Sequence, residues 1–342
     1  MSPSRIGSPV VDCHNDWILL LARERSLGRR DSLSSRFVPQ FREAGIDVQV
    51  TPIFIEEEFV PDGALRRTLL LIHALKEEVA AAGDSVALCY TGKDIDAAVS
   101  AGKLALVLAL EGSHAVGTDV VLVEQFFELG VRMASFTHFG NTLLAGGSAD
   151  GDPGQGLSSH GIEALRMFER LGLVMDVSHL SAQSTEDVLQ HATRPLVASH
   201  SSPKSLRDHH RNLSEEHIKG IAANGGVIGI PAGIPEFIDP ERPTLDRVAD
   251  HVLHVAESVG IDHVGIGADY VREYFDEVYS TYPEIIFGGV DVRAVIEGLE
   301  SPAGMPALIE TLKERGIEGT DLQKVLGDNF LRVFREVMGV AS

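Results

Sequence analysis

The sequence predicts an α/β protein, a (β/α)8 TIM barrel carrying a C-terminal helical extension. Short β-branched apolar runs alternate with amphipathic helical stretches from one end to the other, the pattern of parallel βα units. Eight such runs fall within about 260 residues, which favours a closed barrel over the alternative, a doubly wound open sheet. Almost every run ends in a residue able to bind metal or move a proton.

In chain order the strands are expected at Pro9–Cys13, Val48–Phe54, Leu104–Leu110, Val131–Thr137, Leu173–Ser178, Pro195–Ser199, Gly226–Pro231 and His263–Ala268. A further short run, Val86–Tyr90, lies between the second and third and reads as a decoration outside the cycle. Helix starts stand between the strands: Thr91 three before Asp94, Ser181 opening the segment to His191, Ser214 before Glu215 and Glu216, and Thr244 before Leu245. The Gly-rich stretch Ala145–Gly156 follows a strand end and reads as an active-site loop. Residues 302–338 form the helical extension, and with no linker or internal repeat residues 1–342 read as one domain.

Composition narrows the function. With 29 Lys+Arg against 50 Asp+Glu the formal charge is −21, so the chain's field repels nucleic acid and anionic membranes. Acidic runs such as Glu56-Glu57-Glu58 read as solvated surface. The two cysteines, Cys13 and Cys89, form no CxxC pair, which argues against a disulfide framework or a Cys-rich zinc site. Met1–Pro9 lacks the apolar stretch of a secretory signal and no run of about 18 apolar residues occurs, so a cytoplasmic protein is expected.

The chemistry is carried by position. The first strand ends in Asp12-Cys13-His14-Asn15-Asp16, the third in Glu111, the fourth in His138, the fifth in His179, the sixth in His200 and the eighth in Asp269. In a parallel barrel all carboxyl ends share one rim, so these residues converge. Any one of them alone would pass as a hydrogen-bonded structural residue. Together, His14 with Asp16 suits one ion, His179 with His200 a second, and Glu111 can offer both oxygens as a bridge. Zinc suits such a ligand set, with manganese or cobalt as alternatives. By contrast, Gly265-Ile266-Gly267 lacks the third glycine and helix of a dinucleotide site, and Ser201-Ser202 lack a nucleophile elbow. His209, His210, His251, His254 and His263 read as surface residues or as supports outside the metal shell.

The pieces Asp12-Cys13-His14-Asn15-Asp16, Glu111-Gly112-Ser113-His114, Phe136-Thr137-His138, Asp176-Val177-Ser178-His179, Ser199-His200-Ser201-Ser202, Arg211-Asn212 and Gly265-Ile266-Gly267-Ala268-Asp269 resemble, in that order, the renal (membrane) dipeptidase family, peptidase family M19, of the amidohydrolase-like barrels. The resemblance covers about the first 270 residues and implies a dipeptidase with two zinc ions: His14 and Asp16 on one, His179 and His200 on the other, Glu111 between them. It also implies attack on the scissile carbonyl by a hydroxide shared between the ions, with His138 contacting the carbonyl oxygen, Arg211 holding the substrate's terminal carboxylate and Asp269 shuttling the proton. A homodimer and a preference for L-Xaa-D-Xaa dipeptides follow from the same resemblance. The chain departs from the family after Asp269, reading Tyr270-Val271-Arg272 where Phe-Asp-Gly is common, and Pro231-Ala232-Gly233 brings little aromatic material to a substrate wall. Two alternatives stand beside the dipeptidase: the same chemistry on another amide or an N-acyl amino acid, and a non-catalytic metal-binding barrel.

Overall fold

The computed structural model describes residues 7–138, 140–151, 153–278, 286–287 and 290–339. Its strands are β1 (Val11–Asp12), β2 (Val48–Ile53), β3 (Val86–Leu88), β4 (Leu104–Leu110), β5 (Val131–Ser135), β6 (Val174–Asp176), β7 (Val197–Ala198), β8 (Val227–Ile230), β9 (Val264–Ile266), β10 (Ile286–Phe287) and β11 (Val290–Asp291). The parallel path runs β1-β2-β4-β5-β6-β7-β8-β9, with β3 paired to β4 outside it. All eight expected barrel strands are present, each shorter than or equal to its expected span, and Val86–Leu88 is the expected decoration. The lost residues lie at both ends of the strands, and some of them, such as Cys13, Val177 and Gly267, still donate to a neighbouring strand.

Burial explains why these segments are strands. Every residue of β2 and β4 is buried, as expected of a parallel sheet covered on both faces. Between β9 and β1 the barrel is closed by single hydrogen bonds: the Cys13 N–H donates to the Ile266 carbonyl (3.1 Å), the Ala268 N–H to Asp12 Oδ1 (2.8 Å) and the Asp269 N–H to the His14 carbonyl (2.8 Å). The last two bonds fix the ends of the first and last strands together, where His14 and Asp269 project.

The helices are α1 (Trp17–Ser26), α2 (Val38–Ala44), α3 (Ala64–Ala82), α4 (Gly92–Ser100), α5 (Leu122–Glu128), α6 (Ser159–Leu171), α7 (Ala182–His191), α8 (Glu215–Ala223), α9 (Leu245–Val259), α10 (Arg272–Val278), α11 (Met305–Glu314), α12 (Gly319–Gln323) and α13 (Asn329–Val337). Each expected start is a side-chain cap. Thr91 and Asp94 form a capping box, and Ser181, Ser214 and Thr244 accept from the backbone of Ser184, His217 and Arg247.

Two apolar layers result. One lies between the sheet and its helices. The other fills the barrel interior with Val11, Val48, Val107, Met133, Val174 and Val227, and is sealed by Phe330 and Phe334 of α13. The helical extension therefore closes one end of the barrel and leaves the opposite rim for the site. Gly265, read above as lacking a dinucleotide role, has a packing reason: a Cβ there would lie 2.4 Å from the Phe330 ring.

Candidate metal centre

The strand ends bring the six rim positions together in a buried cluster. His14 follows β1, and Asp16 sits at the N-cap of α1, so the two are joined by a turn into the helix. His14 Nε2 lies 3.6 Å from Asp16 Oδ1 and 3.5 Å from Glu111 Oε1. Glu111, just past β4, also lies 2.8 Å from His179 Nε2 and 3.5 Å from His200 Nε2. The two latter imidazoles face each other with their Nε2 atoms 2.8 Å apart. Glu111 thus stands between the two groups of ligands. Asp269 places one oxygen 4.0 Å from His14 Nε2 and the other 4.0 Å from His200 Nε2.

Backbone conformation aims two of these groups. His179 and Asp269 have φ of 69° and 60°, the left-handed region that a side chain seldom adopts and that recurs at functional sites. The loop from Ala145 to Gly156, of which Asp152 lies outside the described residues, is pinned beside His179: the Ser148 N–H donates to the His179 carbonyl (2.8 Å) and the Ser181 N–H to the Gly146 carbonyl (2.9 Å).

The residues fit metal ions. His14 Nε2, Asp16 Oδ1 and Glu111 Oε2 are buried without a hydrogen-bond partner, a costly state for polar atoms unless a cation joins them. Ligands at tetrahedral angles around a zinc ion are roughly 3.3–3.5 Å apart. The contacts of Glu111 with His14 and His200, both 3.5 Å, match that spacing; His14 with Asp16 at 3.6 Å lies just beyond it, and the 2.8 Å contacts of His179 with Glu111 and His200 are shorter. By proximity the potential ligands fall into three sets: His14 with Asp16 and Asp269; Glu111 with His138 and His179; and His14 with Asp176 and His200. The third set arises on the far side of the imidazoles, where Asp176 meets them through a serine.

Electrostatics follow from crowding in a buried space. Burial opposes charge on His14, but the Glu111 and Asp16 carboxylates outweigh it and raise its pKa well above the ordinary value. Burial, aided by Arg211 and neighbouring imidazoles, holds His179 far below it; burial does the same for His200, aided by His14 and Arg211. Asp16 is raised by burial and by Glu111, and Asp269 is pushed up to about 8 by burial with Asp16 and Glu111 beside it. His138, half-buried and stacked on Phe54 at 4.9 Å, is pushed down to about 3 by burial, so its imidazole is neutral at pH 7.

Two cavities meet at His179. One, of about 320 Å³, has Asp16, Glu111 and Asp269 in its wall, Glu57 and Glu58 at its edge, and an apolar surface built by Phe54, Ile234, Phe237, Tyr274, Phe275 and Val292. The aromatic wall absent from Pro231-Ala232-Gly233 is supplied a few residues later by Phe237, and from elsewhere by Phe54, just past β2, and by Tyr274 and Phe275 of α10. The other, of about 290 Å³, is of mixed polarity and contains Arg211, Asn212 and Ser201. Arg211 is buried; its Nη2 donates to the His200 carbonyl at 3.2 Å, and its Nε has no partner. The other histidines have partners of their own: His251 meets the Ile238 carbonyl, His254 the Glu215 carboxylate and His263 the Gly226 carbonyl. His209 accepts from the Arg211 N–H and His210 meets Ser148.

Asp12, Asp176 and Ser199 stood in the sequence motifs without an assigned role. Asp12, pushed up to about 6 by burial, receives the N–H groups of Ala268 and His14. Asp176 receives those of Ser178 and Ser199. Their signal was present as buried-strand aspartates, but only the fold shows what they hold.

Known proteins agree with this architecture. Dipeptidase verJ of Clonostachys rogersoniana is 32% identical over 351 residues, spanning 97% of this chain and 85% of its own length. Dipeptidase tcpJ of Claviceps purpurea is 28% identical over 97% of this chain and 77% of its own. Among solved structures, an amidohydrolase from Pseudomonas aeruginosa is 26% identical with a TM-score of 0.80, covering 97% of both chains. A metallopeptidase from Rhodobacter sphaeroides, liganded with a phosphinate mimic of the dipeptide L-Ala-D-Ala, has a TM-score of 0.83 at 21% identity, covering 96% of this chain and 99% of its own. The signature of the membrane dipeptidase family, peptidase family M19, matches residues 6–342. The chain belongs to that family and is a metallo-dipeptidase.

Proposed function

We propose that the protein hydrolyses dipeptides at a two-metal centre, with the substrate lying across His179: its C-terminal carboxylate on Arg211 and its N-terminal side chain in the apolar cavity. The observation that carries this reading is the convergence of His14, Asp16, Glu111, His179 and His200 with Glu111 at its middle; these residues would hold two ions, His14 and Asp16 one, His179 and His200 the other, with Glu111 available to both. When bound, divalent transition-metal ions, zinc first, would acidify a water and polarise the scissile carbonyl.

The chain's own residues do the rest. The neutral His138 imidazole keeps an N–H to donate to the carbonyl oxygen, a bond that strengthens as charge develops there. Asp269, with an oxygen toward each half of the cluster and ionised once bound cations offset the charge of Asp16 and Glu111, takes a proton from the attacking water and passes it to the departing amine. The buried guanidinium of Arg211 binds a carboxylate through paired N–H groups. The cavity walls exclude water around a large apolar side chain. Glu57 and Glu58 at the same cavity add a negative field that suits a free α-ammonium, which favours a dipeptide over an N-acyl amino acid.

The test is a screen of L-Xaa-L-Xaa and L-Xaa-D-Xaa dipeptides, with their N-acetyl counterparts, on zinc-loaded enzyme beside a chelated control. The D-series is included because the similar Rhodobacter enzyme holds an L-Ala-D-Ala mimic. Chelator-sensitive release from free dipeptides supports the proposal. Turnover of N-acyl amino acids alone refutes the substrate assignment, and turnover that survives complete metal removal refutes the metal centre.

A further inference from the structure

We infer that Ser199 and Asp176 form a single hydroxyl–carboxylate clamp that sets the tautomer of both His14 and His200, so that one serine positions a ligand of each proposed ion. The inference rests on the two-metal reading. Its starting point is a chain of short contacts on the side of the imidazoles facing away from Glu111. Ser199 Oγ lies 2.5 Å from Asp176 Oδ2, 2.8 Å from His200 Nδ1 and 3.3 Å from His14 Nδ1. All four residues are buried, so water does not compete for these bonds.

The direction of each bond follows from donor counting. Asp176 Oδ1 accepts the N–H groups of Ser178 and Ser199, both at 2.9 Å, which holds the carboxylate in one orientation. With Oδ1 taken by both backbone N–H groups, Oδ2 is left as the acceptor 2.5 Å from the hydroxyl, so the single hydroxyl hydrogen of Ser199 goes to Oδ2. The competing acceptor, Ser178 Oγ, is at 3.4 Å, too far to match a 2.5 Å bond to a carboxylate. Ser199 Oγ is left with lone pairs alone. The two Nδ1 atoms that face it must therefore donate, and a neutral imidazole protonated at Nδ1 carries its lone pair at Nε2.

Those Nε2 atoms are the ones turned to the metal ligands, each 3.5 Å from Glu111 Oε1. His14 comes from the first strand end and His200 from the end of β7, and their ring centroids are 3.7 Å apart. Removing the hydroxyl would release both rings at once. Carboxylates that orient metal-bound imidazoles are a general device; here the carboxylate acts through one hydroxyl on two ligands of different ions.

The experiment combines spectroscopy on the wild type with zinc affinity. In zinc-loaded protein labelled with 15N-histidine, the 15N shifts and couplings of His14 and His200 should report a protonated Nδ1 and a metal-bound Nε2. An Nδ1-bound tautomer at either residue overturns the clamp, and this readout needs no variant. For Ser199→Ala, zinc titration against a chromophoric chelator should show a loss of about 10- to 100-fold at both ions, with Ser199→Thr, which keeps the hydroxyl, restoring most of it. Native affinity in Ser199→Ala, or weakening of one ion only, refutes the shared role. A wild-type chain that takes up a single ion refutes the two-metal reading instead, and the tautomers of His14 and His200 then decide the clamp on their own.

Discussion

Replacing Arg211 should cost most for a substrate that carries a free carboxylate. The side chain is 3% exposed and spends one N–H on the His200 carbonyl, while Nε has no partner. Burial pushes its pKa down to about 10, still well above neutrality, so a full positive charge waits in a site where the nearby carboxyl groups are those of Asp269, Glu111 and Asp176. Truncating one partner of a buried, hydrogen-bonded charge pair costs about 2–5 kcal/mol. At 1.36 kcal/mol per tenfold, that is a loss of about 30- to 5,000-fold in kcat/KM for Arg211→Ala. Arg211→Lys should fall between, keeping the charge but losing the planar fork. The assay is a cycle of wild type and Arg211→Ala against a dipeptide and its C-terminal amide, with thermal unfolding as a control because Arg211 also ties the His200 carbonyl. The amide should be a poor substrate for wild type and lose little more in the variant. Equal losses on both substrates would show that Arg211 does not meet the carboxylate.

Asp269→Asn should lower kcat by about 100-fold or more with the metal content by elemental analysis unchanged; unchanged turnover would remove its role as the proton carrier. Burying a phenylalanine side chain is worth about 1.5–3 kcal/mol, so the apolar cavity should favour an N-terminal Phe over Gly by about 10- to 150-fold in kcat/KM, and equal rates would place the N-terminal residue elsewhere. Gly267→Ala puts a Cβ 1.8 Å from the Ser199 carbonyl oxygen, a backbone atom that cannot swing aside. A destabilisation of about 1–3 kcal/mol, roughly 1–4 °C in Tm for a chain of this length, is expected in thermal unfolding, and a native Tm would contradict the packing. Chelation should lower Tm as well as activity, because the cluster's partnerless polar atoms then lose their cations; a Tm indifferent to metal would argue against bound ions at these residues.

What the sequence made readable is whatever the barrel topology turns into position. Strand ends at His14, Glu111, His138, His179, His200 and Asp269 could be placed together because a parallel barrel has a single rim for them, and capping residues such as Thr91 and Ser214 mark helices by local bonds. Residues that act through contacts distant in sequence could not be placed. Ser199 reaches His14 across 185 positions, and nothing beside either residue announces it. The apolar wall is a stronger case. The segment after Asp269 reads as a departure from its relatives, yet α10 carries Tyr274 and Phe275 into the cavity, and Tyr274 meets the Phe54 ring edge-on at 5.8 Å. That helix is held in place by Arg36, which bonds Glu273 and Glu277 from a π-helical turn, Leu33–Phe37, more than 230 positions earlier and also meets Glu24 of α1. The substrate wall therefore depends on ion pairs between the two ends of the fold. Such pairs have no periodicity and no motif, so sequence reading finds the chemistry of this site more readily than its specificity.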